Sequence, residues 1–294
     1  MITVRIQGGL GNQLFQYALA LSLQKKTNTK VLIDVSFFNS DFNDGGPTKR
    51  KLDLDNFSVS VEKTGSEKVI LKGDLFSKLR RLFERKFLTY YKNSYVKERN
   101  IGFDPHIFLV KDGSYLDGYW QSHKYFEDVL ETLQEDLQLN SPLSSGAKKF
   151  LDEIKNAQTS VSLHVRRGDY ISKYSDMYVN LTQDYYQKAL DLIKKKSDAA
   201  ISVFVFSDDL DWCRDNLKSD FKTFFVSATG MKSSEELVLM SKCQHNIIAN
   251  SSFSWWGAFL NSNLEKIVVG PDQWFCKSDP HFDSNIYPPE WNRL

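Results

Sequence analysis

The stretch TVRIQGGLGNQLFQYALALSLQKKTNTKVLIDV, residues 3–35, carries the pattern that decides the fold. A short β-type run at 3–6 leads into a glycine-rich turn, and apolar residues at helical spacing follow it. The second apolar run, 31–35, has the continuous hydrophobicity of a strand buried in a parallel sheet. Strand, helix and strand in this order predict a βαβ unit.

A second alternating series begins beyond NSPLSSG, residues 140–146, whose small, polar and proline-containing composition favours a domain boundary. The predicted strands lie at 160–165, 201–206, 223–226, 246–249 and 266–269. Helices are predicted between them, near 183–196, 208–217, 233–243 and 253–263. Because strands alternate with helices, we expect an α/β protein with a parallel sheet in each half. The two halves are predicted as residues 1–143 and 144–294.

The first half contains a predicted loop or helical insertion at about 37–100. Within it, the spacing of apolar residues predicts a helix over 74–88, which also contains five Lys and Arg residues. This helix has two interpretations: a surface helix with a solvated basic face, or a helix that lies on a membrane surface. Further along, we expect a strand over 114–120 and a long amphipathic helix over 122–139 that Ser122 caps.

Composition narrows the class of protein. Of the 294 residues, 38 are Lys or Arg and 37 are Asp or Glu, and this balance argues against a nucleic-acid partner. A hydrophobic content of 41% excludes disorder as the main state. The N-terminus lacks a secretory pattern, and three scattered cysteines suit a reducing compartment without a disulfide framework or zinc site. We therefore expect a cytoplasmic protein.

Ligands bind at the carboxyl ends of strands in open parallel sheets, so residues that follow each predicted strand are candidates for a site. After the first strand, the turn Gly8–Gln13 leaves the backbone bare, and an anion or a sugar could approach it closely. A plain connecting turn is the alternative. Gly9 and Gly11 also fit part of a dinucleotide fingerprint, with Leu14 in place of its third glycine. Asp34 would then be the ribose-binding acid of an NAD-type oxidoreductase.

The segment HVRRGDY, residues 164–170, follows the first strand of the second half. Two adjacent arginines at a strand end are costly to desolvate without an anionic partner. Guanidinium groups bind phosphate bidentately, so Arg166 and Arg167 predict a diphosphate ligand, and Asp169 is expected to orient one of them. A surface salt-bridge cluster is the alternative.

Two further strand ends carry polar residues. Ser207, Asp208 and Asp209 follow one strand and could bind ribose or a base, or cap the next helix with Ser207 or Asp208 at the N-cap. The segment NSSFSWWG, residues 250–257, follows another strand and predicts an anion seat at a helix N-terminus. Core packing is favoured for at least one of its two tryptophans.

Five segments in this order, GGLGNQLFQYALALSL, LDGYWQSHKYF, SLHVRRGDY, VFSDD and NSSFSWWGAFLN, resemble the bacterial α-1,2-fucosyltransferases of glycosyltransferase family 11. The His-x-Arg-Arg block is also similar to that of α-1,6- and protein O-fucosyltransferases. The resemblance implies a GT-B architecture, in which the parallel sheets of two Rossmann-like lobes face a central cleft. It also implies that L-fucose moves from GDP-β-L-fucose, with inversion and without a metal or other cofactor. The acceptor would be the 2-hydroxyl of a β-galactoside in an O-antigen or capsule glycan.

The resemblance assigns roles to residues of this chain. Arg166 and Arg167 would hold the diphosphate, His164 and Asp208 the nucleoside, and Ser251 and Ser252 a phosphate in the C-terminal, donor-binding lobe. The acceptor side would belong to the N-terminal lobe, lined by Gly9, Gly11, Asn12 and Gln13. The remaining substrate-binding candidates are Asp169, Ser207, Asp209, Asn250 and Ser254. Arg166, Asn12 and, as the base, Asp117 are the catalytic candidates. A structural acid that bonds the nearby Gly-Tyr turn is the alternative for Asp117, and orientation of the acceptor is the alternative for Asn12.

A non-catalytic carbohydrate-binding protein remains an alternative, because the chain has six Trp, 13 Tyr and 21 Phe residues. If the acceptor glycan is linked to lipid, the basic helix at 74–88 is expected to contact the inner membrane surface. The identity of the acceptor is left open by the sequence.

Overall fold

The computed structural model describes residues 1–39, 50–65, 79, 82–84, 86–197, 199–217, 219–227, 230–276 and 286–294. The chain divides into two units between Asn140 and Ser141, and the short C-terminal stretch with Ile286 and Tyr287 belongs to the first. The expected division lay three residues later, between 143 and 144.

Five strands of the described part of the first unit form a parallel sheet in the order β3-β2-β1-β5-β4. The strands are β1 Ile2–Arg5, β2 Val31–Asp34, β3 Glu62–Thr64, β4 Tyr95–Lys97 and β5 Tyr115–Asp117. Helix α1, Leu10–Thr27, connects β1 to β2, and α2 covers Leu130–Asp136. Short 3₁₀ helices occupy Ser36–Asn39, Asp53–Asn56, Tyr90–Lys92, Pro105–Leu109, His123–Tyr125 and Glu127–Val129.

The βαβ unit predicted from residues 3–35 is confirmed. Helix α1 is buried from Leu10 to Leu23 except at Asn12, as expected for a helix that packs on the sheet with few polar side chains. It ends at Asn28, whose φ of 49° gives the left-handed conformation that terminates many helices.

The second unit contains a second parallel sheet, for which the described residues give the order β11-β10-β9-β6-β7-β8. Its strands are β6 Thr159–Val165, β7 Ile201–Ser207, β8 Lys222–Phe225, β9 His245–Ile247, β10 Val268–Gly270 and β11 Asn292–Arg293. The helices are α3 Ser145–Asn156, α4 Gly168–Ser172, α5 Gln183–Lys195, α6 Leu210–Asn216, α7 Ser233–Lys242 and α8 Ser252–Phe259. The predicted α/β class, with two Rossmann-like lobes, is confirmed.

Strand β6 organises the second unit because it pairs with β7 on one side and β9 on the other. Its alternate residues Val161, Leu163 and Val165 join a buried cluster with helix α5. On the opposite face of the sheet, Phe204 and Phe206 of β7 pack against residues of α3 and α7. The polar loops after β6, β7 and β9 consequently share the carboxyl edge of one rigid sheet.

The prediction of a long helix over 122–139 is wrong. The chain forms two 3₁₀ turns there before the seven-residue helix α2, and Ser122 makes no side-chain cap. The adjacent residues Tyr125 and Phe126 are both buried, and they pack against different partners, Trp120 and Phe15. These two tertiary contacts override the helical preference of the segment.

The predicted insertion at about 37–100 lies partly outside the described residues. Of the predicted helix over 74–88, the described residues are Leu79, 82–84 and 86–88; helical backbone is seen at all of these except Leu88. Across the described residues, no helix combines the length and apolar character needed to span a bilayer.

Candidate functional site

The ends of β6 and β7 lie side by side, since Val165 pairs with Ser207. Arg166 Nη1 lies 3.0 Å from Asp208 Oδ2, and the backbone N–H of Arg167 donates to Asp208 Oδ1 at 3.0 Å. Gly168 permits this arrangement, because a Cβ there would lie 2.7 Å from Asp208 Oδ2. One carboxylate thus fixes the side chain of the first arginine and the backbone of the second.

The second arginine has its own carboxylate. Arg167 Nε lies 3.4 Å from Asp209 Oδ2, and its guanidinium carbon lies 4.0 Å from the centre of the Trp212 ring. The two arginine side chains are largely shielded from water, and two carboxylates balance their charge. We name Arg166, Arg167, Asp208 and Asp209 the arginine–aspartate cluster. In this structure the arginines pair with carboxylates of the chain itself, as in the alternative of a salt-bridge cluster, and the diphosphate ligand stays a prediction.

The aspartates take positions that differ from the sequence prediction. Asp209, not Ser207 or Asp208, is the N-cap of α6, where it accepts from Trp212 N at 3.1 Å. Ser207 Oγ accepts from Asp209 N at 2.9 Å and holds the turn. The Asp169 side chain lies outside the described part, and Asp208 and Asp209 are the acids seen on the arginines.

His164 is the last buried polar residue before the cluster, with 5% of its surface exposed. Burial, followed by repulsion from Arg166, lowers the pKa of its imidazole to about 3. The ring is therefore neutral at physiological pH, and its buried Nδ1 has no hydrogen-bond partner among the described residues. A neutral imidazole with one unsatisfied nitrogen can donate to or accept from a ligand.

The residues after β9 hold the loop that leads into α8. Asn250 Nδ2 donates to Val179 O at 2.8 Å and to Trp274 O at 3.0 Å. Ser251 is the N-cap of α8, and Ser254 Oγ bonds to backbone carbonyls within the turn. Ser252 stands half-buried in the first turn of the helix. Trp255 and Trp256 are both fully buried, as core packing requires.

In the first unit, Gln13 fixes the turn after β1. Its amide donates to Gly8 O and Lys51 O, and its Oε1 accepts from Asp53 N and Leu54 N. The residue is fully buried, so its side chain braces the turn. Gly8 has a φ of +79°, which favours glycine. Gly9 is the N-cap of α1, Gly11 is buried in its first turn, and Asn12 accepts a hydrogen bond from Gln121.

Asp117, the predicted base, lies at the end of β5 and is held by several donors. Both of its oxygens lie 3.2–3.3 Å from Arg5 Nη1; Gln7 Nε2 donates to Oδ1, and the Tyr95 hydroxyl donates to Oδ2. These contacts favour a structural role for the carboxylate. The turn that follows is held by a different acid, Glu98, which the sequence analysis did not single out.

Asp34 shows why the dinucleotide alternative does not fit. The residue is almost fully buried, its Oδ1 accepts from Ser36 N at 2.9 Å, and its Oδ2 accepts from the Tyr115 hydroxyl at 2.8 Å. A carboxylate used in this way is not presented to a ribose.

Within the described ranges, no three His, Cys, Asp or Glu residues group so that they could hold a metal ion.

Comparison with protein families and curated proteins identifies the relatives of the chain. The family model of glycosyl transferase family 11 matches residues 1–294. The O-antigen biosynthesis glycosyltransferase WbnK of Escherichia coli is 33% identical, over 92% of this chain and 94% of its own. An α-1,2-colitosyltransferase of the same species is 29% identical, over 100% and 99%. The galactoside 2-α-L-fucosyltransferase Sec1 of Mus musculus is 25% identical, over 88% of this chain and 64% of its own. The oxidoreductase and non-catalytic alternatives are thereby set aside.

A solved structure supports the fold. The fucosyltransferase NodZ from Bradyrhizobium superposes with a TM-score of 0.52 at 14% identity, covering 88% of this chain and 92% of its own. This likeness agrees with the GT-B-like class expected from the sequence, with a parallel sheet in each unit.

We predict that Asp117→Asn lowers the free energy of unfolding by about 3 kcal/mol, because it leaves the partly buried Arg5 without its counter-ion. Urea unfolding of parent and variant measures the change. A variant with parental stability and abolished turnover would instead support the predicted role of Asp117 as the base.

We also predict that Glu98 makes the stability of the protein depend on pH. Burial raises the pKa of its carboxyl to about 7, from 4.5. The folded state holds this proton more tightly than the unfolded state does. The contribution of the protonated carboxyl to the free energy of unfolding is therefore fully present below pH 4.5 and is lost as the pH rises through 7. Between pH 5 and 8, the parent should therefore lose up to about 3 kcal/mol more stability than Glu98→Gln. Equal slopes of unfolding free energy against pH would contradict this assignment.

Proposed function

The chain belongs to glycosyl transferase family 11, and we propose that it transfers L-fucose from GDP-β-L-fucose to the 2-hydroxyl of a β-galactoside. The observation that carries the proposal is the arginine–aspartate cluster at the carboxyl edge of the second sheet, next to the neutral, unsatisfied His164. This edge is where parallel α/β sheets bind nucleotides. The cluster offers two oriented cations to a diphosphate.

The names of the relatives support the sugar and the linkage. Two of them name an α-1,2 or 2-α linkage, one with colitose and one with L-fucose as the transferred sugar. Colitose is L-fucose without the 3-hydroxyl, so the two donors differ by one oxygen atom. We propose fucose because five segments of the chain, from GGLGNQLFQYALALSL to NSSFSWWGAFLN, resemble fucosyltransferases. Colitose is included in the test.

The second unit is proposed to bind the donor. Arg166 and Arg167 would bind the diphosphate, His164 the nucleoside, and Ser251 and Ser252 a phosphate at the start of α8. In this proposal Asp208 keeps both arginines in position and, with His164, contacts the nucleoside. A NodZ structure was obtained with GDP, which is consistent with a guanine nucleotide as the ligand of this fold.

The proposed reaction is a single displacement with inversion. The acceptor oxygen attacks fucose C1 opposite the diphosphate, the bond from C1 to the phosphate oxygen breaks, and GDP leaves with the electron pair. The hydroxyl proton departs late, so a weak base or water suffices. Negative charge develops on the departing phosphate, and the Arg166 and Arg167 guanidinium groups would stabilise it without the need for a metal ion.

The proposed activity is tested by incubation with GDP-fucose and a panel of galactosides, with GDP-colitose and GDP-mannose in parallel. Product mass and linkage analysis should reveal an α-1,2-fucosyl galactoside, with GDP-mannose giving no product. Transfer from GDP-colitose alone would correct the donor. Absence of transfer from every donor to every galactoside would contradict the proposal.

We predict that Arg166→Ala lowers kcat/KM by at least about 100-fold, since it removes one oriented cation from the departing diphosphate. Arg214→Ala is the matched control, because Arg214 is an exposed arginine paired with Asp211 in the same unit. The control should keep parental kcat/KM, and circular dichroism should confirm that both variants fold. Near-parental turnover of Arg166→Ala would remove the arginine from the mechanism.

We also propose that the protein works in the cytoplasm, with peripheral contact between the helical residues 82–84, 86 and 87 and the inner membrane surface. Glu84 is buried and accepts from Ser94 N and Oγ, so this side chain anchors the segment to the first unit. Leu82, Phe83 and Phe87 are 62%, 59% and 61% exposed. The sequence 78–86 adds five Lys and Arg residues, which suits an anionic lipid surface.

We predict that the protein sediments with vesicles containing phosphatidylglycerol and much less with pure phosphatidylcholine. The double variant Leu82→Ser, Phe83→Ser should reduce the bound fraction several-fold, because it removes exposed apolar area. Leu264→Ser is the control, since Leu264 is fully exposed in the second unit. Equal sedimentation of parent and double variant would contradict the proposed contact of these residues with the membrane.

A further inference from the structure

We propose that the turn Gly118–Gln121, at the carboxyl end of β5, is the subsite for the acceptor hexose, with the Tyr119 ring as its stacking surface. The inference rests on the proposed function, which requires a glycan acceptor. Strand β5 pairs with β1, so this turn and the turn before α1 lie at the same edge of the first sheet.

Side-chain amides join the two turns into one surface. Gln16 accepts from Gln7 N at 2.8 Å and donates to Gly118 O at 2.9 Å. Gln121 Nε2 donates to Asn12 Oδ1 at 2.8 Å. The bonds from Gln16 to Gly118 and from Gln121 to Asn12 join residues 102 and 109 positions apart in the sequence, and they fix the turn after β5 against the start of α1.

The turn adopts a conformation that the chain does not favour. Trp120 has a φ of +56°, in the left-handed region that is costly for a bulky residue. Gly118 has no space for a side chain, because a Cβ there would lie 2.4 Å from Glu98 Cβ. The Glu98 carboxylate accepts from Tyr119 N at 2.6 Å and from Trp120 N at 3.0 Å, which holds the strained backbone.

Strain of this kind clusters at functional sites. The other non-glycine residue with positive φ in the described chain is Asn28, and its role as the end of α1 explains it. No helix end explains Trp120. The turn leaves one of its aromatic side chains at the surface: Asp117 and Trp120 are 8% and 2% exposed, while Tyr119 between them is 37% exposed.

The chemistry of the turn matches a hexopyranose. One face of galactose carries C–H groups that pack on an aromatic ring, and a tyrosine ring presents such a face at low entropic cost. Primary amides donate and accept, as sugar hydroxyls do. Asn12 and Gln121 supply two of them at the same edge of the sheet. An apolar surface with a few fixed polar groups is the usual composition of a small-ligand site.

The test compares steady-state fucosyl transfer by the parent and by Tyr119→Ala, Tyr119→Leu and Tyr119→Phe. We expect Tyr119→Ala and Tyr119→Leu to lower kcat/KM for the galactoside about tenfold, since both lose the ring. Tyr119→Phe keeps the ring and should stay within about twofold of the parent. The Kd for GDP, measured by calorimetry, should be unchanged in all three. Phe103→Ala, at an aromatic residue of the same unit that is 40% exposed, is the control and should behave as the parent.

Parental kcat/KM for the galactoside in either folded ring-deleting variant would overturn the subsite while leaving the proposed function intact. If the parent transfers no fucose, the proposed function fails, and direct binding of the galactoside is then compared by NMR titration. Weaker binding to Tyr119→Ala than to the parent would support the subsite. Equal binding, or no binding to the parent, would overturn it.

Discussion

The pairing of two arginines after β6 with two aspartates after β7 is the interaction on which the candidate site depends. A guanidinium group that is mostly shielded from water is unfavourable unless a carboxylate lies close to it. Asp208 and Asp209 meet this requirement because β6 and β7 are parallel and in register up to Val165 and Ser207. The register of the two strands therefore determines where the charged residues of the following loops lie.

The cluster is electrically balanced before any ligand arrives. Asp208 holds Arg166 by its side chain and Arg167 by its backbone, so an incoming diphosphate meets cations that are already oriented. Such preorganisation lowers the reorganisation needed as charge develops on a leaving group. The first unit has a comparable design, in which Gln13, Gln16 and Glu98 fix two turns at the end of its sheet.

Much of this arrangement can be predicted from the sequence, because it depends on local patterns. Apolar runs and glycine turns locate the strand ends, and strand ends locate the Arg166–Arg167 pair. Which acid pairs with each arginine depends on the tertiary structure. Asp208 lies 41 residues from Arg167, whereas the acid that sequence adjacency predicted was Asp169. The same limit explains the segment after Ser122, where Tyr125 and Phe126 break a helix that periodicity favours. The role of Glu98 had no local signal, since its partners Tyr119 and Trp120 lie on another strand end.

A crystal structure of the protein with GDP tests the central claim most directly. The account predicts phosphate oxygens within about 3 Å of the Arg166 and Arg167 guanidinium nitrogens, with Asp208 still in contact with the arginines. A GDP molecule bound elsewhere on the chain, or arginine side chains directed away from its phosphates, would contradict it.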